Sequence, residues 1–196
     1  MSIFLFSSFP FLGTPNGNYS TTGSARARRA NYFRNLGVRK DLVEDLADIY
    51  REALGYSAEE IEHTGDRNLE GLFGELQIIK RHAPEVVEVH YRIKIDGKMH
   101  EIDILRRKRI VESKYWPSEE TYKMHLEDPQ GFARFIEQLK LHKKAMDMLR
   151  LEGVDLVFGR EGVISEAKFM EYAQKIKDAL GGETSWLKIY YGSLVG

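Results

Sequence analysis

The sequence predicts an α/β chain: a mixed central sheet flanked by helices, preceded by a helical extension. Three observations carry this. Residues 85–95, 99–105 and 110–115 are short runs of alternating apolar and polar residues, the period of half-buried strands. Residues 66–84 and 132–150 place apolar side chains at helical spacing. Val154 to Phe158 is a short apolar run after the second of those helices. A strand there returns through a helical crossover and lies parallel to the strand before it. The chain divides into an apolar arm and linker at 1–24, a helical extension at 25–65, and the core at 66–196.

The elements follow in order. Ile3 to Leu12 is apolar but broken by Pro10 and lacks a basic flank, so it is neither a conventional signal peptide nor long enough to span a membrane. Phe4, Phe6, Phe9 and Phe11 would be costly in water, so they are expected to pack on the core or on a second copy, making a homodimer through the N-terminal region. Thr14 to Ser24 reads as a flexible link. Ala25–Asn35 and Lys40–Leu54 read as helices, the second closed by Gly55, and Ser57 with Glu60 forms a capping box for a short third.

In the core, Asp66 is a helix cap and Leu69, Leu72, Phe73, Leu76 and Ile79 form an apolar stripe ended by Pro84. A strand at 85–95 meets Asp96-Gly97, a strong hairpin turn. The strands 99–105 and 110–115 then flank the basic loop Arg106 to Arg109, a second hairpin. Phe132, Phe135, Ile136, Leu139, Met146 and Leu149 mark the next helix, and Ser165–Leu180 a further one. Gly181-Gly182 separates it from a last strand at Trp186–Tyr191.

The second hairpin concentrates the chemistry. With a four-residue loop, Leu105 pairs with Ile110, Asp103 falls opposite Glu112, and Glu101 falls opposite Lys114. A two-residue loop keeps the facing but offsets the pair; a three-residue loop puts the two carboxylates on opposite faces. Cross-strand carboxylates about 5 Å apart repel, and magnesium or manganese, which suit oxygen ligands, are the natural compensation. Lys114 is a point charge able to hold a water at the same centre. Glu75 stands between Ile78 and Ile79 on the helical wheel, an unusual place for an acid, and Gln138 stands beside the stripe of its own helix.

Asp103-x8-Glu112-x-Lys114 across a hairpin resembles the signature of the PD-(D/E)xK nuclease superfamily. The resemblance covers about Asp66 to Phe158, less than half the chain. It implies a restriction-endonuclease-like core of helix, three strands, helix, strand. It also implies an Mg2+- or Mn2+-dependent endonuclease in which Asp103 and Glu112 hold the metal, the Ser113 carbonyl adds a ligand, and Lys114 positions water. Glu75 matches the acidic position on the helix before the first strand, serving catalysis through a water or a second ion. Gln138 matches a substrate-contacting glutamine. The family often has tyrosine four residues later, where this chain has His142.

Composition narrows the partners. A net charge of −1 gives no global attraction to nucleic acid, so contact must come from local patches. Those are Arg106, Arg107, Lys108 and Arg109, then Lys140, Lys143 and Lys144 on the Gln138 helix; a third is Arg26, Arg28, Arg29 and Arg34. Trp116 can stack on a base or pack in the core. With no cysteine, disulfides and thiol catalysis are excluded. The six histidines show no metal-ligand spacing, and no Gly-x-Ser-x-Gly, phosphate loop or His-Glu-x-x-His occurs. The expectation is a cytoplasmic, non-membrane nuclease acting on nucleic acid, DNA ahead of RNA. The alternatives are a non-catalytic binding module on the same fold and a nuclease toxin domain blocked by an immunity protein.

Overall fold

The protein is described by a computed structural model over residues 67–192, with Arg34 and Lys40 as isolated positions. The arm, the N-terminal arginine cluster apart from Arg34, the Asp66 cap and the side chain of Leu69 lie outside the described residues. So does the helical extension, apart from isolated Arg34 and Lys40.

Helix α1 (Arg67–His82) ends in a short 3-10 turn, Ala83–Glu85, where Pro84 cannot continue the α-helix. Strand β1 (Val86–Ile95) turns through Asp96 and Gly97, at φ 48° and 83°, into β2 (Lys98–Arg106). Both turn residues are left-handed, as a two-residue hairpin requires. Strand β3 (Arg109–Lys114) follows a tight Arg107-Lys108 tip. Helix α2 (Glu119–Leu126), absent from the sequence expectation, is capped by Ser118, whose hydroxyl accepts from the Thr121 amide, with Glu119 and Glu120 in its first turn. Helix α3 (Pro129–Leu149) starts at the Asp128 cap. Then come β4 (Gly153–Phe158), α4 (Glu166–Leu180) and β5 (Leu187–Tyr191).

The five strands form one sheet in the order β1-β2-β3-β4-β5. The first three are antiparallel, while β3, β4 and β5 run parallel, with β4 and β5 each reached through helical crossovers. All six residues of β4 are buried, as expected of a parallel strand covered on both faces. Leu105, Ile110, Val154, Leu156 and Phe158 pack with Phe135, Leu139 and Ile176 of α3 and α4 in one apolar core. Helix α1 contacts β2 and β3, and Phe73 meets Tyr115 edge-on at 5.4 Å. Among the described residues, no helix is long and apolar enough to cross a membrane.

Candidate active site

The hairpin pairs Leu105 with Ile110 as the sequence implies, but the β2–β3 ladder stops one pair later, at Ile104 with Val111. Asp103 therefore does not face Glu112 through a regular ladder. Its carboxylate instead accepts the Ser113 backbone amide at 2.7 Å, standing in for a strand partner. Glu101, expected opposite Lys114, pairs with Arg92 on β1 at 2.8 Å and is exposed. That is a correction with a clear cause: β2 stays in register with β1 beyond Asp103, and β3 diverges from it. The fork between the two strands is where the site forms.

Glu112 is 1% exposed and sits at the centre. Oε2 meets His142 Nε2 at 2.7 Å, Oε1 accepts the Gln138 amide at 2.6 Å, and the Lys114 ammonium bonds to Oε1. Burial pushes its carboxyl up, yet Lys114 and His142 outweigh that and hold it down to about 2. His142, fully buried, extends the chain to His100, whose Nε2 stands 3.0 Å from His142 Nδ1. Position 142 thus puts an imidazole on the central carboxylate.

Asp103 is in the opposite condition. Burial pushes its carboxyl well above the ordinary aspartate range, and Glu112 and Glu75 push it further; Lys114 and the Ser113 amide oppose them only in part. Glu75, 8% exposed on α1, thus converges on the same centre. It is bonded to His90 at 2.8 Å. The β1–β2 register sets position 90 across from position 103, and there the ladder is interrupted: His90 adopts φ 49°, left-handed and strained for a non-glycine residue. The Glu75 carboxylate raises the His90 pKa against the opposing effect of burial.

Three histidines that show no ligand spacing in the sequence, His90, His100 and His142, thus ring the carboxylates. Only the cross-strand register reveals the first, and only the three-dimensional pairing of α3 with β2 and β3 reveals the other two. Lys114 also stands 3.5 Å from Gln138 Oε1.

The basic residues divide. Arg106 and Arg109 turn inward to Asp155, a carboxylate 3% exposed, at 3.2 Å and 2.7 Å. Arg106 also bonds to Glu85. Arg107 is exposed at the tip, and Lys108 pairs with Glu152 at 2.7 Å. On α3, Lys140 pairs with Glu137, Lys143 with Asp147, and Lys144 with Asp96. These last pairs lie at the surface, where they are weak and exchangeable.

Among the described residues, no three His, Asp or Glu side chains stand at the mutual spacing that grips a metal ion. The oxygens of Glu112 and Glu75 are turned toward His142, Gln138, Lys114 and His90. The donor chemistry nevertheless fits a hard cation. Three carboxylates crowd together; Glu112 is matched by Lys114 and His142 and Glu75 by His90, while Asp103 has the Ser113 amide on one oxygen and keeps a second oxygen for a cation. No protein-family model, curated protein or solved structure matches the chain.

Proposed function

We propose that the protein is a metal-dependent nuclease that hydrolyses phosphodiester bonds of nucleic acid, DNA ahead of RNA, in the cytoplasm. The observation that carries the reading is the convergence of three carboxylates, Asp103, Glu112 and Glu75, beside the half-buried Lys114 at the fork of β2 and β3. The fork of β2 and β3, with an acidic helix on one side and a glutamine helix on the other, supports a restriction-endonuclease-like core. Asp103 and Glu112 would hold Mg2+ or Mn2+, with the Ser113 carbonyl and Glu75 as further donors. The bound ion would supply Lewis acidity and a water of lowered pKa.

The protein's own residues do the rest. Lys114 neutralises charge on the phosphate and orients the attacking water. Gln138 holds Lys114 and Glu112 in place, and the second hydrogen of its amide is what it can offer to substrate. His142 fixes the Glu112 carboxylate from behind, as hydrogen-bonded outer partners commonly do for metal-binding carboxylates. Arg107 and Lys108 contact the backbone without reading sequence, aided by Lys140, Lys143 and Lys144.

A second reading is a binding module on the same fold, favoured by the complete hydrogen bonding of Glu112 to the protein itself. A toxin domain with an immunity protein is a variant of the first. Incubating the protein with linear, supercoiled, branched and single-stranded DNA and with tRNA, in magnesium or EDTA, separates the readings. Magnesium-dependent cleavage supports the nuclease; no cleavage of any substrate leaves the binding module.

A further inference from the structure

The ladder between β2 and β3 ends at Ile104 and Val111, so Asp103 and Glu112 sit on strands that paired backbone no longer joins. Side chains bridge the fork instead. One bridge is the bond from the Ser113 amide to the Asp103 carboxylate. Another runs from His100 on β2, through His142 on α3, to Glu112 on β3. His100 Nε2 stands 3.0 Å from His142 Nδ1, and His142 Nε2 stands 2.7 Å from Glu112 Oε2.

With neutral rings this second bridge has one consistent arrangement of hydrogens. Glu112 is ionised, its carboxyl held down to about 2, so it brings only lone pairs, and the hydrogen at Oε2 comes from His142 Nε2. His142 then presents a lone pair at Nδ1, which takes its hydrogen from His100 Nε2. Burial, and after it His142, hold the half-buried His100 imidazole below its ordinary value, so it is a neutral ring with one hydrogen to give. The bridge also decides orientation. The last torsions of a glutamate and of a histidine are broad and nearly two-fold, so neither the carboxylate plane nor the imidazole plane is fixed by rotamer preference. Gln138 and Lys114 both hold Oε1 of Glu112, and among the described residues Oε2 is left to His142. His142, fully buried, is in turn held at Nδ1 by His100.

We propose that His100 is a positioning residue: acting through His142, it fixes the plane of the Glu112 carboxylate and its setting against Asp103 across the fork. The role rests on reading Asp103 and Glu112 as the metal-binding pair. His100 stands three residues before Asp103 on the same strand, so the bridge ties the strand that carries one carboxylate to the other carboxylate itself. It replaces the ladder where the ladder ends. Partners of this kind, one step removed from a metal ligand, set the ligand's orientation and basicity. An apolar side chain at the same position would fill the space beside the His142 ring, 4.6 Å away between centroids. It would supply no hydrogen to Nδ1.

The test uses the full chain and two substitutions: His100→Leu, which keeps bulk, and His100→Gln, which keeps a hydrogen-bond donor. Nitrogen NMR of the histidine rings in metal-free protein reads where His142 carries its hydrogen, calorimetric titration reads Mg2+ affinity, and melting curves establish that each variant is folded. In wild type and His100→Gln the expected result is a His142 hydrogen on Nε2 with Nδ1 bare, and similar Mg2+ affinity. In His100→Leu the ring should become a mixture of both tautomers, and the Kd for Mg2+ should rise about tenfold or more, the usual cost of losing an outer partner. An unchanged His142 spectrum or an unchanged Mg2+ affinity in His100→Leu overturns the proposal and leaves the nuclease reading intact. So does an equal loss in both variants, which would make bulk rather than the donor responsible, or a hydrogen on His142 Nδ1 in wild type. No Mg2+ binding by wild type overturns the metal reading and this role with it.

Discussion

Two aspartates of the same sheet, Asp155 buried and Asp103 half-buried, live in opposite electrostatic conditions. Asp155 on β4 is bracketed by Arg106 and Arg109, so its charge is matched by two guanidinium groups in good hydrogen-bonding geometry. Asp103 on β2 shares its surroundings with two more carboxylates and one ammonium, and its carboxyl is pushed up by burial, Glu112 and Glu75. The difference is between an aspartate matched by two guanidinium groups and one crowded by other carboxylates; on the proposed reading a divalent cation, which carboxylate oxygens suit, completes the second.

The comparison gives the same substitution opposite signs. Asp155→Asn strands two largely buried arginines and should lower stability by about 3–5 kcal/mol, read as a large fall in melting temperature; an unchanged value would show those arginines find water or other partners. Next in size is Lys114→Ala, which removes the cation bonded to Glu112 at the heart of the site. It should abolish cleavage and also destabilise the metal-free protein, with most of the stability loss above pH ~4.5. Glu112 is depressed to about 2, so its paired state contributes stability above the ordinary glutamate range and loses it as pH falls toward 2. Lys114→Ala alone therefore does not separate catalyst from counter-ion.

Asp103→Asn separates them. A carboxyl raised in the folded state costs stability once pH exceeds its ordinary value near 3.9, and the cost grows until pH passes the folded value, above which it stays constant. Metal-free Asp103→Asn should accordingly melt higher than wild type at pH 7 to 8, and the gain should vanish below about pH 3.9. A lower melting temperature at pH 7 would mean that Asp103 is a satisfied structural acceptor of the Ser113 amide. The smallest effect is expected at His90. Its pKa is raised by Glu75, so their pairing stabilises fully below about pH 6.5 and fades as pH rises through the folded value. His90→Asn, which tolerates the left-handed backbone, should differ from wild type by less than about 1 kcal/mol at pH 8. It should lose more at pH 6; identical pH profiles for the two proteins would remove His90 from the site.

Much of this was legible in the residues. Period-two runs, the Asp96-Gly97 turn and the helical stripes gave the order of elements, and the pairing of Leu105 with Ile110 placed Asp103 near Glu112. The route by which they meet was not legible. A regular ladder predicts Glu101 beside Lys114, but sheet divergence after Ile104 sends Glu101 to Arg92 and leaves Asp103 to cap an amide. His142 was not legible as a site residue, because nothing local shows that its flank of the helix abuts Glu112. His90 was invisible, since a strand pattern does not announce one left-handed residue. Helix α2 had a signal that went unused: Ser118 followed by two acids.

The central claim is that the carboxylates crowded around Asp103 are completed by a metal ion, and calorimetric titration of Mg2+ or Mn2+ into wild type and Asp103→Asn tests it most directly. Saturable binding to wild type and its loss in Asp103→Asn is the expected result. No binding to wild type, or equal binding to both proteins, would contradict it.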